Sequence, residues 1–152
     1  MSNQNNPQAQ ASQKFRLNGL YVKDISFENP HAPAIFMQAA QNQSKMGVNI
    51  DVSIKHLEET SYEVALRVTT KAEENGKTIF LVEVLHGGIF TINPALPQES
   101  HHRILLVDCA ATIYPFARRI ISDLTTEGGF PPVLLEPINF EAMYFAKTGL
   151  AA

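Results

Sequence analysis

The stretch from Lys77 to Ile92, KTIFLVEVLHGGIFTI, constrains the fold more than any other part of the chain. Laid out as a strand, it puts Phe80, Val82, Val84 and His86 on one face. Ile79, Leu81 and Leu85 fall on the other, interrupted by Glu83. A sheet in an isolated two-layer domain needs only one apolar face. A strand apolar on both is either the centre of a three-layer protein or partly covered by a second chain. The chain offers few helices to form a third layer, which favours the second option. Gly87-Gly88 is expected to interrupt the strand, as paired glycines do at bulges and bends.

The other segments supply partners for this strand. Phe15 to Glu28 reads as a strand with Phe15, Leu17, Tyr21, Ile25 and Phe27 on one face and Arg16, Asn18, Asp24, Ser26 and Glu28 on the other. Asp24 and Glu28 then point the same way about 13 Å apart. That is too far to share a proton and suits two separate contacts to a basic partner, although a polar strand face ordinarily meets only water. Asn29-Pro30-His31-Ala32-Pro33 ends the strand. The segment Ala34 to Met46 reads as a long loop with one helical turn at Ile35–Met37, and loops of that length are uncommon without a function. Val48, Ile50, Val52 and Ile54 alternate with polar residues, as do Tyr62, Val64, Leu66 and Val68, giving two half-buried strands. Asn75-Gly76 closes a hairpin into the Lys77 strand.

From His101 the period changes to that of a helix. Leu105, Cys109, Ile113, Phe116, Ile120 and Leu124 form a stripe, broadened by Leu106, Ala110, Ala117 and Ile121. So wide a stripe predicts cover on more than one side. Pro115 predicts a kink or restart, and Gly128-Gly129 a stop. Phe130 to Pro137 is an extended connector. Asn139 caps a last short helix with Phe140, Met143, Tyr144 and Lys147 on one stripe. Four strands followed by two helices is an α+β layout: a four-stranded antiparallel sheet, a long kinked helix and a short C-terminal helix. The domain is expected to span 15–148. Residues 1–14, rich in Gln, Asn and Ser, are expected to form a disordered tail, and 149–152 a short C-terminal one.

Composition removes several classes of function. The net charge is −3, and no basic run marks a nucleic-acid surface. The single Cys109 excludes an intrachain disulfide and a cysteine-built metal site. It lies in the apolar stripe and reads as a core residue. His101-His102 lie side by side on a helix, a poor chelating pair, and an anion-binding or surface role is expected. There is no HExxH, GxSxG or phosphate-cradling glycine loop, so the chain is expected to be neither an enzyme nor a cofactor or metal binder. No signal peptide or membrane span is legible, and a cytoplasmic location without membrane insertion is expected. What remains is a binding module. Phe27, Phe36, Met37, Phe140, Met143 and Tyr144 lie where packing alone does not obviously need them. Together with Ile50 and Val52 they suggest a groove for extended apolar peptide, against the alternative of ordinary core packing.

Several motifs resemble the bacterial protein-export chaperone family SecB. They are YVKDISFENP at 21–30, FLVEV at 80–84, GGIFTI at 87–92, YPFAR at 114–118 and GGFPPVLLEPINFEA at 128–142. The resemblance runs in order over residues 16–148. It implies a homotetramer, a dimer of dimers, with Val82, Val84 and His86 on the assembly face. It implies a docking face for the export ATPase SecA at Asp24, Glu28, Leu81 and Glu83, with any zinc belonging to that partner. It implies a groove for unfolded precursor polypeptides at Phe27, Phe36, Ile50, Val52, Phe140 and Tyr144. Family members carry a loop tryptophan, and this chain has none. Two alternatives stand beside the export reading: a SecB-like chaperone serving a toxin–antitoxin system, and a small-molecule binder on a sheet-plus-helix scaffold.

Overall fold

A computed structural model describes residues 13–38 and 44–149. Its elements are β1 (Phe15–Glu28), α1 (Ala34–Met37), β2 (Lys45–Glu58), β3 (Ser61–Glu74), β4 (Lys77–Ile92), a long helix α2 and a short helix α3 (Phe140–Thr148). Helix α2 runs without a break through Gln98–Arg103, Ile104–Cys109 and Ala110–Glu127. The strands form one antiparallel sheet in the order β1-β4-β3-β2. The β3–β4 hairpin turns at Asn75 and Gly76, both with positive φ (51° and 78°), as the Asn-Gly pair predicts.

Helix α2 covers one face of the sheet and seals the core. Val64, Leu66, Val68, Val82, Val84, Phe90 and Ile92 from the sheet meet Leu105, Cys109, Ile113, Ala117 and Ile121 from the helix. Cys109 is fully buried there, and burial beside Asp108 pushes its thiol far above the ordinary range. It stays protonated and inert.

Six expectations need correction. The N-terminal tail does not extend to residue 14, because the carbonyls of Gln13 and Lys14 accept hydrogen bonds from the Asn93 side chain and backbone at 3.0 and 2.9 Å; residues 1–12 and 150–152 lie outside the described residues. Second, β4 is not interrupted at Gly87-Gly88. It pairs with both neighbours straight through them. A Cβ at Gly87 would lie 2.5 Å from the Tyr21 ring, and one at Gly88 2.7 Å from the Phe90 ring. The glycines make room for aromatic rings laid on the strand. Third, the irregularities fall in β1, at Leu17/Gly19 and Val22/Asp24. Each shifts the alternation by one residue. Leu20 therefore turns toward the core and Tyr21 turns out, while Asp24, Ser26 and Glu28 keep their outward direction.

Fourth, the helix begins at Gln98. Its departure from α winding is a π-wound stretch at Ile104–Cys109, upstream of Pro115, which sits within the α-wound part. Fifth, His101 is buried, with its Nδ1 3.4 Å from the Tyr62 hydroxyl; only His102 is exposed. Sixth, Val82 and Val84 have no exposed surface even in the single chain, because its own α2 lies on them. His86 is also buried, its ring beside Phe116 with centroids 6.1 Å apart. Burial lowers its pKa. The apolar surface left open on this side belongs to Phe116, which the helical stripe predicted as covered, and to Leu17, Val22 and Ile25 of β1.

Candidate binding groove and outer face

Four phenylalanines pack in series at the end of the sheet where α2 stops. Phe27 stacks on Phe80 (6.1 Å between centroids), Phe80 tilts against Phe130 (4.9 Å), and Phe130 against Phe36 (5.2 Å). They come from β1, β4, the connector and α1. Gly128 and Gly129 end α2 and also admit this cluster. A Cβ at Gly128 would lie 2.2 Å from the Phe27 ring. Gly129 has φ +90° and touches Phe36, a conformation that glycine adopts without strain.

Beside the cluster lies an apolar groove of about 640 Å³. Met46 and Val48 of β2 form one side, Ile79 and Phe80 the floor, and Phe130 to Glu136 the other wall. A second hollow, formed by His31, Ile35, Phe36 and Lys77, shares Ser44, Ile79, Phe130 and Pro131 with it, so the two adjoin. Met46 and Val48 are each 46% exposed and Leu134 is 78% exposed. This is apolar surface open to a ligand.

The six residues expected to line one groove do not come together. Phe27 and Phe36 belong to the aromatic cluster. Ile50 and Val52 are half-buried and pack on the core; Val52 also edges a separate hollow with Tyr62, His101 and Lys147. Phe140 is buried against Tyr114, ring centroids 5.8 Å apart, and is corrected from a groove residue to a core residue. Tyr144 lies beside His102 and Phe145. The wall that was missed is the connector. Its run FPPVLLEPI is the available signal: apolar residues in a proline-locked segment that no strand pairs with.

The opposite face of the sheet is mostly polar, with Leu81 and Leu85 set among its charged residues. Register places Glu28 opposite Leu81, Ser26 opposite Glu83 and Asp24 opposite Leu85. Residues directly opposed in an antiparallel pair share a face, so Asp24, Glu28, Leu81 and Glu83 lie on one surface. Glu83 is tied to Arg67 and accepts from the Thr69 hydroxyl at 3.1 Å. Asp24 and Glu28 are exposed and make no ion pair with any described residue.

At the second β1 bulge, Lys23 reaches Glu63 at 2.8 Å, and the Tyr21 hydroxyl donates to the same carboxylate. The bond to Lys23, then that to Tyr21, holds the Glu63 carboxyl below its usual range; burial and Glu63 raise the Tyr21 pKa to about 12. A carboxyl with a depressed folded pKa adds stability above its unfolded pKa and loses it as pH falls through the folded one. Glu63→Gln is therefore expected to cost about 1 kcal/mol at pH 7, the pair being partly solvated. The difference from the wild type should shrink between pH 7 and about pH 3, as falling pH begins to protonate the carboxylate. Urea midpoints at the two pH values measure both.

Residues 8–149 match the family model described as preprotein translocase subunit SecB. The chain belongs to the SecB family of protein-export chaperones. It is 44% identical over 146 residues to the protein-export protein SecB of Granulibacter bethesdensis, covering 91% of this chain and 84% of that one. It is 48% identical over 130 residues to SecB of Methylobacillus flagellatus, covering 86% and 81%. Among solved structures it resembles a SecB-like chaperone of Mycobacterium tuberculosis in complex with an antitoxin peptide. The TM-score is 0.68 at 12% identity, over 82% of this chain and 91% of that one. That likeness is one of fold. No described helix is long and apolar enough to cross a membrane.

Proposed function

We propose that this SecB-family chain is an ATP-independent holdase that keeps unfolded precursors soluble in the cytoplasm and passes them to the export ATPase SecA. The observation that carries the reading is the open apolar groove between Met46/Val48 and the connector, adjoining the hollow at Phe36. Its affinity comes from burying exposed apolar segments, about 25 cal/mol per Å². Methionine and aromatic rings adapt to varied side chains, so sequence selectivity is low. Assembly as a dimer of dimers would multiply weak sites through effective concentration.

Docking to the motor is assigned to the outer face, through Asp24 and Glu28 with Leu81 and Glu83 beside them. Two carboxylates with no ion-pair partner among the described residues suit a basic segment, whereas Glu83 is already engaged by Arg67. Asp24→Lys with Glu28→Lys is expected to weaken SecA binding at least tenfold at low salt, the magnitude expected where close charge pairs turn repulsive. Precursor holding should stay unchanged. Titration of SecA and of an unfolded precursor against the same variant separates the two; equal loss of both would make the outer face structural instead.

A further inference from the structure

The connector between α2 and α3 is the groove's second wall, yet nothing in its own backbone holds it in place. Residues 131–139 form no helix or strand. Pro131, Pro132 and Pro137 have no amide hydrogen to donate. Two side chains of α2 supply the hydrogen bonds that fix the segment. The Thr125 hydroxyl accepts from the Val133 amide at 3.0 Å. The Tyr114 hydroxyl donates to the Glu136 carbonyl at 2.6 Å.

Both anchors are deeply set. Thr125 is fully buried and Tyr114 is 4% exposed. The Thr125 hydroxyl hydrogen goes to the carbonyls of Ile121 and Ser122, at 3.0 and 3.1 Å, which leaves its lone pair for Val133. The Thr125 carbonyl also accepts from the Phe130 amide at 3.0 Å. One residue therefore holds both the start of the connector and a point three residues on. Tyr114 sits on the same side of the helix, eleven residues or about three turns earlier.

These bonds set which side chains face the core. Val133 and Leu135 pack on it, while Leu134 between them is exposed. Extended chain alternates its sides, so a slip of one residue would bury Leu134 and turn Val133 and Leu135 outward. The wall facing Met46 and Val48 would then change shape throughout. We infer that Thr125 and Tyr114 are positioning residues that fix the register of this wall and thereby set the width and lining of the binding groove. The inference deepens the proposed holding function and rests on it for its binding arm only.

Hydrogen exchange of the full-length protein tests it, together with binding of an unfolded precursor. Thr125→Val keeps the shape and removes the acceptor. It should speed exchange at Val133 about tenfold, the loss of one hydrogen bond, and weaken precursor binding by a similar factor. Thr125→Ser should restore both, and Tyr114→Phe should weaken binding by releasing Glu136. Molar mass and helix content should match the wild type in all three. Unchanged exchange in Thr125→Val overturns the anchor. Faster exchange with undiminished binding overturns its role in the groove, as does a binding loss that serine fails to restore. If the wild type itself binds no precursor, the holding function fails, while the exchange result still decides the anchor.

Discussion

Replacing Phe80 by alanine should destabilise the protein by about 4 kcal/mol, a large part of the stability of an ordinary domain. Phe80 is 4% exposed and touches Phe27 on one side and Phe130 on the other. No single neighbour can fill the space it leaves. Phe27 is held by Gly128 and β1, and Phe130 by the turn from α2. The missing ring would also remove the groove floor between Ile79 and the connector, so precursor binding should fall in the variant that remains folded. Phe36→Ala is the control. Phe36 lies at the half-exposed rim of the same cluster, and its loss should cost about 1 kcal/mol because little buried contact goes with it. Urea unfolding of both measures the contrast. Equal costs would mean that the four rings do not depend on Phe80 as their common support.

The second large effect concerns the apolar surface that α2 leaves open. Leu17, Val22 and Ile25 turn toward the helix side of β1, an edge strand, and Phe116 flanks them on α2. Val22 is paired with His86, whose ring lies against Phe116, so these groups are neighbours. All four are more than one-third exposed in the single chain. An exposed apolar surface backed by an edge strand invites another sheet or helix. A second copy is the expected cover. Ile25→Asp with Phe116→Asp should then break the four-copy assembly, because each places a charge where water is excluded. Light scattering should report four copies of 16.8 kDa in the wild type and one or two in the variant. A single copy in the wild type, or an unaltered assembly in the variant, contradicts this placement.

The position of this open surface could not be read from β4. Its two apolar faces were read as needing more cover than one chain supplies, and α2 is the cover on the Val82 and Val84 face. The sequence pattern does not say which cover is the chain's own helix. Val82 and Val84 turned out to be sealed by α2, and the open surface moved to β1 and Phe116. The bounds of β1 and β4, the Asn75-Gly76 turn and the Asn139 cap were legible because each depends on local chemistry, whereas β2 begins at Lys45, inside the segment read as loop. Asn139 accepts from the Ala142 amide at 2.9 Å, as a cap should. Tyr21 was misplaced because a bulge leaves no mark in a run such as LNGLYVKD; only pairing with Gly87 reveals it. The groove was half legible for a similar reason. Phe27 and Phe36 stood out as aromatic residues in odd places, but the wall opposite β2 is built by a connector whose path is set by two side chains of α2. Nothing near Val133 or Glu136 in the sequence names Thr125 or Tyr114. Phe140, by contrast, looked available on a short helix and is buried by Tyr114.

The most direct test of holding is light scatter from a precursor diluted out of urea in the presence of the purified protein, without nucleotide. Stoichiometric protein should keep the scatter flat, and Met46→Asp with Val48→Asp should abolish the protection while leaving the fold intact. Scatter that rises as fast with the protein as without it would contradict the groove's role as a holder of unfolded chains.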